Sequence, residues 1–541
     1  MDMDYTYHYP SQRAPVMARN IVTTSHPLAA QAGLSMLDKG GTAADAAVAT
    51  AMALTVLEPT SNGIGSDAFA LVWAGGGLHG LSANGRAPAG LDRSRYAASG
   101  DIPTLGWDGV IVPGAVSGWV ALAREFGRLP LTTLAEPAIR YAREGSLVPP
   151  EIAYYWNRAA DIYGRARRQH EALLAPWFET FTSGGKAPRV GSVARLPDHA
   201  TTLEAIAATD GQAFYRGDLA EKIDAAARAG GSSLRSSDLA AHQPDWVRPI
   251  SINYKGWKLH EIPPSGQGIA ALMALGIVRL FDLAMLDPDS PNALHIVIEA
   301  MKLAFADAHQ HIADPDFMQV RPADLLDETY LASRARLIDP NRAQDFGHGE
   351  PKTGGTVLLA AADAEGMMVS FIQSNYTGFG SGVVVPGTGI ALHNRGCNFS
   401  LEAGHVNEVG PGKRPYHTII PGFVTRTRAD GSDEPLMAFG VMGGFMQPQG
   451  HVQVLLRMAD HRMNPQSALD APRWQVEKGL RVTIEPGFDA GVYEGLRALG
   501  HDLHIHDKPN AAFGRGQSIV RVDGGYIAGC DPRCDGQAVG F

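Results

Sequence analysis

The stretch Gly354-Gly355-Thr356-Val357-Leu358-Leu359-Ala360-Ala361-Ala362-Asp363 decides how the rest of the chain is interpreted. Two glycines precede a threonine, and the threonine opens an apolar run that is typical of a buried β-strand. After a short turn, residues 367–374 form a second strand-like run, and a glycine-rich stretch follows at 378–389. The pattern predicts a hairpin whose first strand begins at Thr356.

The same pattern is typical of a nucleophile that a chain makes by cleaving itself. Cleavage between Gly355 and Thr356 would leave a threonine whose hydroxyl attacks and whose own α-amine acts as the base. An α-amine has a pKa of about 7.7–8.0, so it can accept a proton without help from a histidine. Read alone, Gly-Gly-Thr is also how an ordinary hairpin strand begins. The tripeptide therefore leaves both interpretations open.

The composition argues against several classes of protein. The 541 residues are 45% hydrophobic and 19% charged with 62 glycines, a globular balance with room for a large core. A net charge of −10 gives no reason to expect a nucleic-acid partner. No run reaches the roughly 18 apolar residues of a membrane span, and residues 1–15 lack the pattern of a secretory signal. With three cysteines in no framework spacing, the sequence predicts a cytoplasmic protein.

The composition of the chain changes near Thr356. Before it, helices are predicted at 29–37, 43–57, 115–126 and 131–144, with Thr42 as N-cap of the second, and residues 155–245 are mainly helical. After it, strands are predicted at 357–362, 368–373, 383–385, 418–424 and 435–441, followed by a helix at 450–460. Sheets stacked between helix layers fit this order.

A predicted helix at 292–311 carries side chains that could bind a metal. His295 and Glu299, and likewise Asp307 and His311, are spaced i,i+4 and share a helix face. Because no third ligand motif is visible, we expect local or solvent-facing pairs there. No glycine-rich loop is followed by the lysine or acidic residue that a nucleotide site needs. The sequence thus predicts neither a metal nor a cofactor.

Several segments together resemble the γ-glutamyltransferase family. They occur in the family's order from about Ile21 to Phe541: Glu58-Pro59-Thr60-Ser61-Asn62-Gly63-Ile64-Gly65-Ser66-Asp67-Ala68-Phe69, Gly85-Arg86-Ala87-Pro88, Val112-Pro113-Gly114, the Thr356 region, Lys413-Arg414-Pro415, Gly443-Gly444 and Asp531-Pro532-Arg533. The resemblance implies an α+β N-terminal-nucleophile hydrolase fold, a four-layer αββα sandwich. It also implies self-cleavage into a helix-rich large subunit, residues 1–355, and a strand-rich small subunit, residues 356–541, which stay together. A further homodimer stays open.

The resemblance also assigns catalytic roles. Thr356 matches the nucleophile, and Ser374 matches a hydroxyl residue that helps to hold it. Gly443 and Gly444 match a glycine pair whose backbone N–H groups form the oxyanion hole, and loss of one such donor typically costs about 10²–10³ in rate. Asn394 falls in the stretch that lines the acyl pocket. Without the resemblance, the glycine pair would be read as an ordinary turn.

The chain departs from the family where typical members bind the α-carboxylate of glutamate. The arginine of typical members is replaced by Asn84, and the nearest arginine is Arg86, two residues later. A Leu-Ser-Ser that follows Arg-Pro in typical members is replaced by Tyr416, His417 and a threonine. Arg86 and His417 therefore become candidates for binding an acid, although each could instead have a structural partner.

The chain also departs from the family where typical members bind the α-ammonium. A glutamine and an aspartate are replaced by Arg395 and Asn398. An arginine would repel an ammonium and favour a carboxylate. Arg395 is therefore a third candidate for binding an acid, with a structural ion pair as the alternative. The segment between residues 399 and 414, which carries a lid in many members, is also shorter.

Three hypotheses about function follow. The leading one is a γ-glutamyltransferase-type enzyme that cleaves small γ-glutamyl amides such as glutathione through an acyl-enzyme. The second is an amidohydrolase for an acidic acyl amide without an α-amino group, of the oxamate type or the glutaryl, cephalosporin acylase-like type. The third is an uncleaved, non-catalytic binding protein. Retention of Thr356, Gly443 and Gly444 argues against the third.

Overall fold

The computed structural model describes residues 12–96, 100–346 and 355–541. Its strands, in chain order, are β1 (Val16–Ala18), β2 (Ile21–Thr24), β3 (Asp67–Ala74), β4 (Gly77–Ala83), β5 (Ser146–Leu147), β6 (Val193–Ala194), β7 (Asp245–Val247), β8 (Ile250–Tyr254), β9 (Trp257–Glu261), β10 (Gly355–Ala362), β11 (Met368–Tyr376), β12 (Gly422–Thr427), β13 (Asp433–Met442), β14 (Trp474–Lys478), β15 (Arg481–Ile484), β16 (Asp502–Ile505), β17 (Arg515–Val522), β18 (Gly525–Cys530) and β19 (Gln537–Gly540).

The α-helices lie mostly before β10. They are α1 (Pro27–Asp38), α2 (Ala43–Leu57), α3 (Ala115–Phe126), α4 (Leu131–Glu144), α5 (Pro150–Ala166), α6 (Glu171–Phe181), α7 (Pro197–Ala208), α8 (Gln212–Arg216), α9 (Asp218–Ala229), α10 (Ser236–Ala241), α11 (Gly268–Val278), α12 (Pro291–His311), α13 (Pro322–Leu325), α14 (Glu328–Ala335), α15 (Met446–Ala459), α16 (Pro465–Asp470) and α17 (Ala490–Ala498). In the described ranges, no helix is both long and apolar enough to cross a lipid bilayer.

Two seven-stranded antiparallel sheets form the centre of the molecule. Sheet I has the order β19-β2-β10-β11-β3-β4-β7, and sheet II has the order β1-β18-β17-β13-β12-β9-β8. Helices α1, α2 and α3 pack on the outer face of sheet I, whereas α11 and α15 pack on sheet II. A separate apolar core lies between the sheets. The four-layer αββα arrangement expected from the resemblance is therefore confirmed.

Strand β10 is buried on both faces, which explains its continuous apolar sequence. Side chains alternate across a strand. Val357, Leu359 and Ala361 accordingly join the core under the helices, and Leu358 and Ala360 join the core between the sheets. β10 pairs with β11 on one side and with β2 on the other. A one-residue slip would exchange the two faces, so packing fixes the register of β10.

The predicted elements before β10 agree closely with the structure. Helix α2 has the predicted bounds, and Thr42 caps it in a capping box with Asp45. Three predictions after β10 need correction. Residues 383–385 form no strand but a single bridge from Val384 to Ala391, because Gly382 and Gly387, both with positive φ, turn the chain on either side. The strand predicted at 418–424 begins only at residue 422, and the helix predicted at 450–460 begins at residue 446.

The core between the sheets supplies a stability test. Leu358 is 1% exposed there, so Leu358→Ala should lower the free energy of unfolding by about 2–5 kcal/mol through lost burial and a cavity. Urea denaturation measures the change. The matched control is Leu147→Ala on a leucine that is 61% exposed, where we expect less than about 0.5 kcal/mol. Equal losses in the two variants would contradict the packing described for β10.

Candidate active site

Thr356 lies at the start of β10, where the ladder with β11 is irregular. The register shifts between Gly355 and Val357, a distortion that is common beside active sites. The Thr356 hydroxyl donates to Ser374 Oγ at 3.2 Å, and Ser374 in turn donates to the Gly355 carbonyl oxygen at 2.6 Å. The Tyr376 N–H also donates to Ser374 Oγ, at 2.7 Å. One serine therefore holds both the predicted nucleophile and the carbonyl of the bond before it.

A buried ion pair holds the other side of Thr356. Arg515 Nη2 donates to the Thr356 carbonyl oxygen at 3.5 Å and to Ser61 Oγ at 3.1 Å, and Nη1 bonds Glu58 Oε1 at 2.8 Å. Ser25 donates to the second Glu58 oxygen. Both carboxylate oxygens and both terminal guanidinium nitrogens are thus bonded, and only Arg515 Nε is buried without a hydrogen-bond partner.

The predicted oxyanion glycines lie next to this ion pair. They follow β13, whose last residue, Met442, pairs with Arg515 on β17. Gly443 also approaches Gly514 so closely that a Cβ on it would lie 3.3 Å from the Gly514 Cα. Gly443 and Gly444 both have positive φ, at 137° and 62°, which glycine adopts most readily. The turn before α15 therefore lies near Thr356, and its role as an oxyanion hole remains a prediction.

Asp67 is the centre of a fully buried cluster of charged and imidazole side chains beside Ser374. It occupies the position opposite Ser374 in the ladder between β3 and β11. His417 Nε2 lies 3.0 Å from Asp67 Oδ2, Arg395 Nε 3.9 Å from the same oxygen, and His393 Nε2 3.6 Å from Oδ1. The structure thus brings two predicted acid-binding residues, Arg395 and His417, to the nucleophile's end of sheet I.

Burial sets the charges in this cluster. It lowers the pKa of His417 to about 3, and Arg395 acts in the same direction, so the imidazole is neutral at pH 7. Burial also lowers the pKa of Arg395, to about 10, which still leaves a cation. Burial alone would raise the pKa of Asp67, but His393, His417 and Arg395 lower it to about 2. The cluster therefore holds one carboxylate and one guanidinium.

The guanidinium of Arg395 is only partly bonded. Its Nη1 donates to Thr418 Oγ1 at 2.7 Å, whereas Nε and Nη2 are buried without a hydrogen-bond partner. Its Cζ lies 4.7 Å from the ring centroid of Tyr376, whose hydroxyl is also unpaired. Tyr376 pairs with Gly355 across the hairpin and has φ of 76°. An incompletely bonded cation therefore stacks on the side chain of the residue that pairs with Gly355.

The other two candidates for binding a carboxylate have different surroundings. Arg86 pairs with Asp314 at 2.8 Å and donates to the Gly412 carbonyl, and its side chain is 41% exposed. Asn84, just past the end of β4, lines a cavity of about 390 Å³ together with Ser265, Arg414 and several prolines. Arg86 thus has the structural partner that the sequence left open, whereas Asn84 directly precedes Gly85, whose N–H donates to Asp67 Oδ1 at 3.4 Å.

Three further predicted residues have structural contacts. Asn394 is buried and donates to the Thr104 carbonyl and to Thr377, so it fixes the loop after β11. Tyr416 stacks on Phe445, the residue after the glycine pair. Asn398 is half-buried with an unpaired amide nitrogen. Their proposed roles in substrate binding remain predictions.

On α12, His295 bonds a residue distant in sequence rather than Glu299, whereas Glu299 pairs with Lys302 one turn away. His295 Nδ1 lies 2.8 Å from His501 Nε2, and these two histidines with Glu299 form a group whose geometry could hold a metal. The third potential ligand, His501, is about two hundred residues away in sequence, and no spacing motif pointed to it. Lys302 and the backbone N–H of Gln344 already bond the two carboxylate oxygens of Glu299, at 2.7 and 3.0 Å.

Sequence reasoning did not single out Asp67, Arg515, Tyr376 or Gln267. Asp67 and Glu58 belong to a segment that carried the family resemblance, so a signal for them existed. Arg515 begins a strand that no pattern linked to Thr356. Gln267 follows β9 and bonds the glycine turn, and only the folded chain reveals this contact.

Comparison with known families agrees with this geometry. The sequence model of the gamma-glutamyltranspeptidase family, the γ-glutamyltransferase family named above, matches residues 29–541. The chain belongs to this family. The chain is therefore an enzyme of the N-terminal-nucleophile hydrolase class, and its resemblance to the γ-glutamyltransferases is confirmed.

Individual relatives in the gamma-glutamyltranspeptidase family have different named substrates. The glutathione hydrolase-like YwrD proenzyme of Bacillus subtilis is 34% identical over 98% of this chain and 100% of its own. The oxamate amidohydrolase proenzyme of Klebsiella pneumoniae is 35% identical over 97% and 99%. A crystal structure of cephalosporin acylase from Bacillus halodurans superimposes with a TM-score of 0.94, at 50% identity over 100% and 99%. The chain is therefore an amidohydrolase of this family, and its relatives are named for different substrates.

The charge of Asp67 can be tested through the pH dependence of stability. Because its folded pKa, about 2, lies below the ordinary 3.8, the ionised carboxylate stabilises the fold above pH 4, and this contribution falls as the pH drops. The difference in unfolding free energy between the parent and Asp67→Asn should shrink by about 1 kcal/mol between pH 5 and pH 3. Urea denaturation at both pH values measures it. A difference that stays constant would contradict the charge assignment.

Proposed function

We propose that the chain cleaves itself between Gly355 and Thr356 and then hydrolyses amides whose acyl group carries a carboxylate. The observation that carries the proposal is Arg395, a fully buried guanidinium with two unpaired nitrogens stacked on Tyr376. A buried charge without full hydrogen bonding costs several kcal/mol. A substrate carboxylate would offset that cost with charge-assisted hydrogen bonds.

The contacts around Gly355 support self-cleavage. Attack of the Thr356 hydroxyl on the Gly355 carbonyl carbon would break the C–N bond, pass the hydroxyl proton to the leaving nitrogen and so free the Thr356 amine. The ester that remains between Gly355 and Thr356 Oγ1 is then hydrolysed by water, which releases the Gly355 carboxylate and restores the Thr356 hydroxyl. Ser374 donates to the oxygen that would become negative, and it accepts from the attacking hydroxyl. The relatives named as proenzymes support the same step.

The amide reaction would reuse the same atoms. The freed α-amine takes the proton of the Thr356 hydroxyl, and Oγ1 attacks the substrate carbonyl. The N–H groups of Gly443 and Gly444 stabilise the negative oxygen. The protonated amine then transfers its proton to the leaving amine, an ester on Thr356 remains, and water completes the hydrolysis.

The charges near Arg395 favour an acyl group without an α-amino group. Asp67 lies 3.9 Å from Arg395 Nε and is already bonded by His417, so it leaves Nη2 of Arg395 unbonded. An ammonium placed here would meet Arg395, and like charges at short range repel. Relatives named as an oxamate amidohydrolase and a cephalosporin acylase fit this preference.

A γ-glutamyl donor such as glutathione is the second candidate. It is favoured by the glutathione hydrolase-like relative, which matches almost the whole chain. Asn398 offers an unpaired amide in the position expected near the ammonium. Glutaryl-4-nitroanilide and γ-glutamyl-4-nitroanilide differ only in the α-amino group, so the ratio of their kcat/KM values separates the two candidates. A ratio above one favours the acidic acyl group without the amine.

Self-cleavage is tested on a denaturing gel. Scaling the 57.5 kDa mass by length, cleavage before Thr356 should give bands of roughly 38 and 20 kDa. Thr356→Ala should stay as one band because it has no nucleophile. Ser374→Ala should fold but cleave more slowly, because the Gly355 oxygen loses its donor. A parent that stays as one band on long incubation would overturn the proposal.

The acid-binding role is tested by Arg395→Gln. This change should lower kcat/KM for glutaryl-4-nitroanilide by about 10²-fold or more, since a charge-assisted pair is lost. Activity on butyryl-4-nitroanilide, which lacks the carboxylate, should change little. Arg457→Gln removes an arginine that pairs with Asp289 on another element and serves as the control. Equal losses on both substrates would reject Arg395 as the acid-binding residue.

A further inference from the structure

Gln267 connects the glycine turn to the segment that holds Arg395. It is fully buried at the N-cap of α11. Its Nε2 donates to the Gly444 carbonyl oxygen at 2.8 Å and to the Thr418 carbonyl oxygen at 2.6 Å. The two hydrogens of one amide group therefore link two loops that come from different strands.

The glycine turn needs such an external bond. Gly443 and Gly444 have no side chains and occupy positive φ, and glycine has the widest conformational freedom of any residue. The backbone of α15 supplies two bonds, from Met446 N to the Gly443 oxygen and from Gln447 N to the Gly444 oxygen. Gln267 adds a side-chain donor on the Gly444 oxygen, which fixes the direction of that peptide group.

The second bond of Gln267 reaches the acyl end of the site. The Thr418 carbonyl oxygen accepts a hydrogen bond from Gln267 Nε2, and the Thr418 hydroxyl oxygen accepts one from Arg395 Nη1. The backbone N–H of Gln267 also bonds the carbonyl oxygen of His417 at 2.9 Å. Gln267 thus contacts both the turn that carries the proposed oxyanion donors, Gly443 and Gly444, and the residue that bonds Arg395.

We propose that Gln267 is a positioning residue that aligns the oxyanion N–H groups of Gly443 and Gly444 with the acyl group bound at Arg395. The inference rests on the proposed function, because it takes the glycine turn as the oxyanion hole. Misalignment of the donors weakens stabilisation of the transition state more than binding of the ground state. Loss of Gln267 should therefore lower kcat and leave KM nearly unchanged.

Variants that remove its two donors in steps test the inference. Gln267→Met keeps the size of the side chain and has no donor, whereas Gln267→Glu in a buried site facing two carbonyls takes the neutral form and keeps one. With glutaryl-4-nitroanilide we expect kcat to fall about 10- to 100-fold in Gln267→Met and less in Gln267→Glu. KM should change less than about threefold in both.

A second buried glutamine provides the matched control. Gln453 on α15 also donates to two backbone carbonyls, those of Gln449 and Trp474, at 3.1 and 2.9 Å. Gln453→Met should lower the melting temperature as Gln267→Met does, but it should leave kcat unchanged. Melting curves and cleavage on a gel check folding. If Gln267→Met does not fold, Gln267→Glu carries the comparison.

The outcomes separate the two proposals. An active parent with equal kcat in the Gln267 and Gln453 variants would overturn the positioning role alone. A rise in KM with unchanged kcat in the Gln267 variants would also overturn it. A parent that hydrolyses none of the amides would overturn the proposed function, and the positioning role with it.

Discussion

The site depends on the hydrogen bonds of the Ser374 hydroxyl. A hydroxyl has one hydrogen to donate and two lone pairs to accept, and Ser374 uses all three, with Gly355, Thr356 and Tyr376. This is possible only while β10 and β11 keep their register, because Ser374 must face the carbonyl of the residue before Thr356. Burial of β10 on both faces fixes that register. Packing of the four layers thus keeps Ser374 in place opposite Gly355 and Thr356.

Two buried arginines near Thr356 differ in how many of their guanidinium nitrogens form hydrogen bonds. Arg515 bonds Glu58 at 2.8 Å and uses both terminal nitrogens. Arg395 has its carboxylate partner at 3.9 Å and uses only one of them. The direct pair leaves only Nε of Arg515 without a partner, whereas the offset pair leaves both Nε and Nη2 of Arg395 without one. The offset pair balances the charge of the site and leaves two nitrogens of Arg395 unbonded, which is the reason for proposing a carboxylate site there.

Much of the fold could be predicted from local sequence. Thr42 is a good N-cap, and an uninterrupted apolar run follows it, so the bounds of α2 were correct. The run Val383–Val385 has strong strand propensity, yet flanking glycines turn the chain and no partner strand is present beside it in the described part of the chain. Strand β12 likewise begins later than predicted because Thr418 and its neighbours bond Arg395 and Gln267 instead of a ladder.

The residues of the site could be predicted only where they lie in short sequence motifs. Thr356, Ser374 and the glycine pair lie in short motifs, and the structure places them at one end of the two sheets. Arg395 and His417 were singled out because they stand where typical members have a glutamine and a Leu-Ser-Ser segment, but their common partner Asp67 lies more than three hundred residues earlier in the chain. The direction of their pKa shifts depends on Asp67 and on burial, and neither can be read from the spacing of residues in the sequence.

The positions of these residues explain how one framework can serve different acyl groups. Thr356 and Ser374 lie on strands, and a change there would disturb pairing. Arg395, which begins a short 3-10 helix, and His417 both lie between β11 and β12, so their side chains can differ without altering the register of the strands. The loop residues still require a fixed distance from the oxyanion donors, because a misplacement of about 1 Å can cost 10²-fold in rate. Gln267 meets that requirement from a third element, the N-terminus of α11, which allows the acyl end to vary while its alignment with the nucleophile is kept.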